Sequence, residues 1–402
     1  MATYNFTVRA IDNTGAFADR NFSMNVNNTQ VDRFVIAGTR GIARSIDGLI
    51  WNAEYGLQGN QIRWENNQWI LYSCGGGVTE IGAGQIRTSP DAINWKLLNA
   101  QYSGYRQASP ASSSTFNSTG LTLIKYRKGA YYGYATIAYS TNYSVDEYTS
   151  SDLITWTPTG RNLAQVSTTN NATYNGVVDL EYDPVSDTWI ALVSFFGTNN
   201  CVVWRRVGNG GWTSAGMSGL TVNSPVPLEA GRTGALSSTR TGKVMFVNGL
   251  WTITNGQTGF WTSVDSVNWV FRDTSATSQY GVVGPVYSNG RMLFQPMTTS
   301  TTGNSGAPLI ESVNAGHTTA ARSIPATITP PWNFGGSMEN RQIMATYAGT
   351  TVAINANVPG GLIFTTKDDG TTWTSTNANA TVPGALLSAH IGTNSAIAAR
   401  ND

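Results

Sequence analysis

The sequence is poor in charged side chains and in histidine. Charged residues make up 12% of the 402 residues, and the formal net charge is +1. Proteins that bind nucleic acid or an anionic membrane surface carry a marked excess of positive charge, so we expect no nucleic-acid partner. The two histidines, His317 and His390, make a zinc centre or a Ser-His-Asp triad hard to assemble. We therefore expect no metal ion and no cofactor.

Cysteines and long apolar runs are also scarce. Cys74 and Cys201 could form one bridge, but their number and spacing do not suggest metal ligands, and we expect both to be small core residues. No apolar run approaches the roughly 18–20 residues that span a bilayer, so we expect no membrane insertion. The first six residues contain neither a basic nor an apolar segment, so we expect no secretory signal peptide.

Turn formers and strand formers are abundant instead. The chain has 43 glycines and 11% aromatic residues, and Ser, Thr and Asn crowd the intervals between short apolar runs. This composition is typical of many short strands joined by turns. No segment shows a convincing helical period, so the sequence predicts an all-β fold.

Five segments repeat one pattern, in which Ser or Thr is followed by Asp two residues later and then by Trp. An Asp in a tight turn accepts hydrogen bonds from nearby backbone amides, and the Trp can bury roughly 200 Å² between sheets. We call the five segments the box turns and expect a structural role for them. Their defining residues are Ser45, Asp47 and Trp51; Ser89, Asp91 and Trp95; Ser150, Asp152 and Trp156; Ser263, Asp265 and Trp269; and Thr366, Asp368, Gly370 and Trp373.

The spacing of the box turns predicts seven blades of a β-propeller. Successive aspartates from Asp47 to Asp368 are 44, 61, 113 and 103 residues apart, and the two long gaps each leave room for one more repeat. We place one degenerate blade around residues 179–193, ending near Gly211 and Trp212, and the other around 286–294, ending near 309–311. A hairpin with an Asn-Asn or Asn-Gly turn precedes the box turn in several repeats, which predicts four-stranded blades.

The two ends of the repeat region predict a shared blade. Residues 385–392 and 395–400 resemble the first strands of a blade that lacks a box turn, whereas too few strands precede Ser45. Joining them closes the ring and removes exposed edges. How the strands divide between the two ends is left open.

The N-terminal residues follow a different pattern. Residues 3–27 alternate with period two around a turn at 12–15, which predicts one β-hairpin. The segment resembles the last two strands of a cadherin-like or other immunoglobulin-like repeat. We therefore divide the chain into an Ig-like hairpin, 1–30, and a propeller, 31–402. The apolar face of the hairpin (Tyr4, Phe6, Val8 and Ala10) is expected to pack on a neighbouring chain or on a separate sandwich portion rather than to insert into the propeller, so a homo-oligomer is one possibility.

The box turns over residues 31–402 resemble those of the Asp-box, or BNR-repeat, propeller superfamily. In that superfamily the boxes lie away from the ligand face, and its members include sialidases, other glycosidases, assembly factors, receptors and phage structural proteins. Together with the partial Ig-like segment and the low charge, the chain resembles tail or fibre proteins of tailed phages. This resemblance implies a non-catalytic virion protein that binds other virion proteins or a host-surface glycan or receptor, located in the virion or otherwise extracellular.

Tyrosines offer the candidate ligand-binding surface. The gap between Asp91 and Asp152 is long and rich in tyrosine, whose ring and hydroxyl suit glycans and protein surfaces. The alternative for each is simple packing between blades. The candidates are Tyr102, Tyr105, Tyr139, Tyr143 and Tyr148.

Two alternatives concern catalysis and assembly. A sialidase needs an arginine triad, a Tyr–Glu nucleophile pair and an acid Asp, and the nearest string to the expected Arg-Ile-Pro motif begins late, at Arg322. Asp179, Glu181 and Tyr182 could mimic the acid and nucleophile, although alternation puts Tyr182 on the opposite face of the strand. A cofactor-free assembly factor is the other alternative.

Deletion of residues 1–28 tests whether the hairpin belongs to the ring. We expect the melting temperature of the truncated chain to match that of the full chain, because the C-terminal strands already complete the first blade. Self-association, measured by light scattering, should weaken. A large fall in melting temperature would show that the hairpin is part of the ring.

Overall fold

The computed structural model describes most of the strands and the tight turns between them. The residues described are 2–11, 17–26, 32–59, 61–72, 85–102, 121, 123–139, 142–167, 174–195, 200–220, 226–227, 242–254, 259–274, 281–297, 309–313, 319–322, 344–354, 363–376 and 396–400. None of them is helical. The described part of the chain therefore contains no helix that could cross a membrane.

The chain divides into two compact units, residues 1–32 and 33–402. In the first unit, β1 (Ala2–Ile11) pairs antiparallel with β2 (Phe17–Val26), from Ala2 opposite Val26 to Ile11 opposite Phe17. Arg9 Nε lies 2.6 Å from Asp19 Oδ1 across this hairpin. The side chains of Tyr4, Phe6, Val8 and Ala10 are outside the description, so their packing partner stays a prediction.

The second unit contains the other strands. Residues 33–227 supply β3 (Phe34–Ala37), β4 (Gly41–Ser45), β5 (Asn52–Tyr55), β6 (Gln61–Glu65), β7 (Gln68–Tyr72), β8 (Gln85–Ser89), β9 (Lys96–Asn99), β10 (Gln101–Tyr102), β11 (Leu123–Arg127), β12 (Ala130–Tyr139), β13 (Asn142–Ser150), β14 (Thr155–Ser167), β15 (Tyr174–Asp183), β16 (Thr188–Phe195), β17 (Asn200–Val207) and β18 (Val226–Pro227). Residues 242–400 supply β19 (Lys243–Val247), β20 (Leu250–Thr254), β21 (Gly259–Ser263), β22 (Val270–Asp273), β23 (Gly281–Ser288), β24 (Arg291–Met297), β25 (Leu309–Ser312), β26 (Ala320–Arg322), β27 (Met344–Tyr347), β28 (Thr350–Ile354), β29 (Ile363–Thr366), β30 (Thr374–Thr376) and β31 (Ala396–Ala399).

These strands form a ring of seven four-stranded antiparallel blades, which confirms the predicted fold class. Blade 1 has the order β31-β3-β4-β5, and blades 2 to 7 begin with β6, β11, β15, β19, β23 and β27. These first strands lie side by side around the centre, with β31 between β27 and β6. One C-terminal strand therefore completes the N-terminal blade, with Phe34 opposite Ala399. Of the predicted closing strands, 385–392 lies outside the described residues.

Blades 3, 4 and 6 depart from the prediction. In blade 3 the short strand β10 pairs in parallel with β14 as a fifth strand. In blade 4 Trp212 precedes a single bridge from Thr213 to Arg205, and the fourth strand, β18, comes later in the chain. In blade 6, residues 309–312 form the third strand rather than the end of the blade. Degenerate repeats carry no box turn to mark the last strand, so the predicted blades ended too early.

The inner hairpins share a turn and an aromatic contact. The two turn residues between the first and second strands have positive φ, as in the turns that match strand twist. These turns are Asn66-Asn67, Lys128-Gly129, Asn248-Gly249, Asn289-Gly290 and Ala348-Gly349. Opposed rings lie beside the turns in four blades, with centroids 5.1 Å apart for Trp64–Trp69, 4.9 Å for Tyr126–Tyr131, 4.4 Å for Tyr182–Trp189 and 4.5 Å for Phe246–Trp251.

Each box-turn Trp packs against the preceding blade. Trp156 is fully buried among residues of blades 2 and 3, such as Ile70 and Tyr72, and Trp269 is buried against blade 4. Trp51 and Trp373 are buried in the cluster that joins blades 6, 7 and 1. Trp95 packs at the edge of the cluster between blades 1 and 2 and is only partly buried.

Truncation of these tryptophans tests their role as contacts between blades. We expect Trp156→Ala to lower the free energy of unfolding by about 3–5 kcal/mol, because it leaves a large cavity between two sheets. Trp95→Ala should cost clearly less, since part of that ring is already exposed. Urea unfolding measures both values. Equal losses for the two variants would contradict this account.

Candidate functional site at the ring centre

Charged side chains meet where the first strands of blades 2 to 5 approach one another. Arg63 lies on β6, Lys125 on β11, Asp179 and Glu181 on β15, and Lys243 on β19. Side chains two apart on a strand share a face, so Asp179 and Glu181 point the same way. Lys125 Nζ accordingly contacts both of them, at 3.0 Å from Asp179 Oδ1 and 3.3 Å from Glu181 Oε2.

Asp179 lies at the middle of this cluster and is nearly enclosed. It is 4% exposed, and its Oδ2 accepts a hydrogen bond of 3.1 Å from the backbone N–H of Val244 in blade 5. Burial alone would raise the pKa of Asp179, but the charges of Lys125, Lys243 and Arg63 outweigh it and hold that pKa well below its usual range. Asp179 therefore carries a negative charge in the folded protein, and its contacts with Lys125 and Val244 join blades 3, 4 and 5.

Arg127, at the end of β11, separates two carboxylates. Its Nη1 lies 2.9 Å from Glu65 Oε2 of blade 2, and its Nε lies 3.0 Å from Glu181 Oε1 of blade 4. Burial would lower the pKa of Arg127, but Glu181 and Glu65 raise it further above its ordinary value. The exposed fractions of the side chains are 25% for Arg127, 11% for Glu65 and 14% for Glu181, so solvent reaches all three.

A second buried carboxylate joins blades 3 and 4. Glu147 is fully enclosed and contacts Arg161 Nε at 2.8 Å, Arg206 Nη1 at 3.2 Å and Trp212 Nε1 at 3.0 Å. The hydroxyl of Tyr134 donates to Glu147 at 3.1 Å, and burial with the nearby Glu147 charge raises the pKa of Tyr134 well above its usual value. A fully enclosed carboxylate with four partners stabilises the interface and is closed to substrate.

The box turns hold their aspartates by hydrogen bonds within the turn. In the second turn Asp91 Oδ1 accepts from the N–H of Ile93 at 2.9 Å and of Asn94 at 2.8 Å, and Trp95 Nε1 donates to Ala92 O at 3.0 Å. The first, third and fourth turns repeat this arrangement. In the fifth turn the N–H of Thr372 donates to Asp368 Oδ1 at 2.8 Å, and Trp373 Nε1 donates to Gly370 O at 3.1 Å. These contacts are all internal to the turn.

The residue after each box-turn aspartate takes a left-handed conformation. In the four shorter turns it has φ between 61° and 75°, at Gly48, Ala92, Leu153 and Ser266. The last turn has one residue more, and both Asp369 and Gly370 have positive φ. At Gly48 a Cβ would lie 2.7 Å from Val352 Cγ2 of blade 7, so a side chain there would disturb the closing interface.

Four of the five candidate tyrosines have side chains that lie outside the described residues. Tyr148 is 1% exposed and packs between blades 2 and 3, where its ring offers no surface to a ligand. The backbones of Tyr102, Tyr139 and Tyr143 belong to β10, β12 and β13, respectively, and their side chains lie outside the described residues. Tyr105 lies outside the described residues.

Tyr182 lies away from the charged centre, as alternation along the strand predicts. Its ring packs on Trp189, and its hydroxyl donates to Asp187 Oδ1 at 2.9 Å. Partial burial and this hydrogen bond raise the pKa of Tyr182 to about 12.

Sequence reasoning identified Asp179 and Glu181 as candidates. It missed Glu65, Lys125 and Arg127, because a single charged residue on a strand forms no recognisable motif. Among the described residues no group of His, Cys, Asp and Glu side chains could hold a metal ion.

An outer groove is the other concave surface described. It has a volume of about 420 Å³, lies between blades 1 and 2, and is lined by Glu54, Leu57, Ile93, Asn94, Trp95 and Lys96. It is open to solvent and holds one carboxylate. The ring centre, with two partly exposed carboxylates, is the better candidate for chemistry.

Comparison with known proteins gives structural matches only. No protein-family model and no curated protein matches the chain. The Niastella koreensis GH74 enzyme is 15% identical, with 86% of this chain and 47% of that chain covered and a TM-score of 0.49. The Penicillium chrysogenum alpha-L-arabinanase complexed with arabinobiose is 13% identical, with 89% and 94% covered and a TM-score of 0.38. A Lactobacillus plantarum protein is 8% identical, with 86% and 99% covered and a TM-score of 0.45.

These matches correct the expected function. The chain spans about half the length of the GH74 enzyme, and at such identities the likeness concerns the fold alone. The propellers found are nevertheless mostly named as glycoside hydrolases, including two described as a galactosidase and an exo-galactanase. The expectations of a non-catalytic virion tail or fibre protein, and of a protein that is not an enzyme, are therefore wrong.

Acid titration tests the hydrogen bonding of the box turns. Burial would raise the pKa of Asp91, but the N–H groups of Asn94 and Ile93 outweigh it and lower that pKa to about 2. Because the folded-state pKa lies below the unfolded value of about 3.9, the stabilisation is complete above pH 4 and is lost as the pH falls toward 2. The stability difference between the parent and Asp91→Asn, measured by urea unfolding, should shrink across this window. A difference that does not change with pH would contradict the assignment.

Proposed function

We propose that this chain acts on carbohydrate as a glycoside hydrolase, with Glu65 and Glu181 as the reacting carboxylates. The observation that supports this most is their placement on either side of the Arg127 guanidinium. Glycoside hydrolases flank the scissile bond with two carboxyl groups about 5–10 Å apart. The contacts of Glu65 and Glu181 with one guanidinium hold these two carboxyl groups near each other. We also propose that the five box turns are Asp boxes of the BNR-repeat type.

Glu181 is suited to the role of nucleophile or base. Both of its oxygens contact Arg127, and Oε2 also contacts Lys125, so two cations fix the orientation of the carboxyl group. A carboxylate held in this way can attack the anomeric carbon or take a proton from water. Its partial exposure allows contact with a substrate over the end of the first strands.

Glu65 is suited to the role of proton donor. Its Oε2 accepts from Arg127 Nη1 and from the backbone N–H of Tyr126 at 3.2 Å. Its Oε1 accepts no hydrogen bond from the described residues, so this oxygen can carry a proton to the glycosidic oxygen. Arg127, partly exposed between the two, can donate to sugar hydroxyls.

Hydrolysis assays with matched variants test the proposal. We expect reducing-sugar release from a panel of galactans, arabinans and β-glucans, and a loss of about 10²–10⁴-fold in rate for Glu65→Gln. Glu181→Gln should lose as much or more. Asp187→Asn is the control, because it removes an exposed ion pair with Lys128, 2.7 Å long, between blades 3 and 4.

Activated substrates separate the two roles. With a good leaving group, such as nitrophenolate, Glu65→Gln should recover most of its rate, since no proton needs to be donated, whereas Glu181→Gln should stay inactive. Melting temperatures of all variants should be compared to exclude misfolding. A parent protein that is inactive on the whole panel, or activity that survives in Glu181→Gln, would show that the proposal is incorrect.

A further inference from the structure

The box turns of blades 3 and 5 are covered by a segment that precedes the blade in the chain. In blade 3, β10 pairs in parallel with the start of β14, with Gln101 opposite Thr155. In blade 5, the N–H of Ser218 donates to Val267 O at 2.8 Å, and Ser218 O accepts from the N–H of Trp269 at 2.9 Å. Both covers therefore use the backbone groups beside the box-turn Trp.

The link into blade 2 is too short to supply such a cover. Residues 56–60 alone connect β5 to β6, whereas 100–122 lie between β9 and β11, and 208–242 lie between β17 and β19. Among the described residues, no backbone group makes the corresponding hydrogen bonds to Ile93 O and from the N–H of Trp95. The outer groove between blades 1 and 2 lies at this uncovered turn.

The uncovered groove combines an aromatic ring with polar groups. Trp95 is partly exposed, whereas the Trp of each of the other four box turns is buried. Asn94 Nδ2 donates to Asp91 Oδ2 at 2.8 Å, which fixes the amide and leaves its Oδ1 as an acceptor. Glu54 and Lys96 line the same groove, and neither makes an ion pair or a side-chain hydrogen bond with the described residues. The groove thus offers a ring, acceptors and a donor to a ligand.

We propose that the outer groove binds a sugar residue of a polysaccharide, with the C–H face of the sugar on the Trp95 ring. The sugar hydroxyls can accept from Lys96 and donate to Glu54 and to Asn94 Oδ1. The volume of about 420 Å³ lies within the range of about 300–1,000 Å³ that is typical of small-ligand sites. Because the charges of Glu54 and Lys96 are opposite, a neutral sugar suits the groove better than an acidic or a basic one.

The groove holds the polymer at a distance from the reacting carboxylates. Glu54 on β5 and Lys96 on β9 place it on the outer strands of blades 1 and 2, whereas the ring centre is built from first strands. Its single carboxylate does not provide the pair that glycoside hydrolysis needs, so its role is binding. The carbohydrate class of the ligand rests on the proposed function, but the site shares no residue with the ring centre.

Affinity electrophoresis in gels that contain soluble galactan, arabinan or β-glucan tests binding at the groove. All proteins carry Glu181→Gln, so that the polymer is not hydrolysed during the run. Trp95→Ala should raise the Kd for a retained polymer at least about tenfold, because the ring contact is lost. Phe271→Ala is the matched control, since it removes an exposed ring from the outer strand of blade 5 and should bind like the parent.

A second variant tests the polar groups without changing the Trp95 ring. Glu54→Ala combined with Lys96→Ala should keep the melting temperature of the parent, because neither side chain has a partner among the described residues. Its affinity should fall by about three- to tenfold through lost hydrogen bonds to hydroxyls. Retention of both groove variants like the parent, or a parent that no polymer of the panel retains, would show that the groove is not a sugar site.

Kinetics and crystallography separate this site from the ring centre. On polymers Trp95→Ala should raise KM and leave kcat unchanged, and on nitrophenyl glycosides it should change neither. Polymer binding at the groove by a protein that hydrolyses nothing would refute the proposed function and leave this inference standing. In crystals soaked with an oligosaccharide of the retained polymer, sugar density over Trp95 is expected. An extended peptide segment in the groove, or sugar density at the ring centre alone, would overturn the inference.

Discussion

The ring depends on the contact that each blade makes with the one before it. In five blades the turn before the outer strand carries a Trp, and that ring inserts between two sheets. The indole N–H donates to a backbone carbonyl in its own turn, so the side chain is oriented before it packs. Blade 4 lacks a box turn, yet Trp212 packs at the same kind of interface and donates to Glu147. A propeller blade has two large faces, and the repeated contact between neighbouring blades covers both of them.

The first strands of the blades carry both charged and apolar side chains. Those of blades 2 to 5 hold the charged network, and those of blades 6, 7 and 1 contribute buried residues such as Val286, Met344 and Ile397 to the core between blades. Buried charges are costly unless each has several partners, and Glu147 gains two of its partners from the neighbouring blade. The charged network thus serves both the cohesion of four blades and the proposed chemistry.

The function was misjudged from sequence because the features used were global ones. Low charge, a partial Ig-like segment and tyrosine-rich intervals describe a class of composition, and none of them forms a site. One selected tyrosine, Tyr148, is part of the core. Asp179 and Glu181 were found because they adjoin each other on one strand. Their partners Lys125 and Arg127 were not, since they lie about 55 residues away and only ring geometry brings them close.

The sequence by itself determined the number of blades, their four-strand build and the closing blade. Each of these depends on local chemistry repeated at fixed spacing: an Asp that accepts backbone N–H groups, paired residues with positive φ, and alternation along strands. Only the tertiary structure decided where the charges meet, that Trp95 is less buried than Trp156, and where blades 4 and 6 end. These properties depend on distances between first strands that are far apart in the chain, and no local pattern of residues encodes such distances.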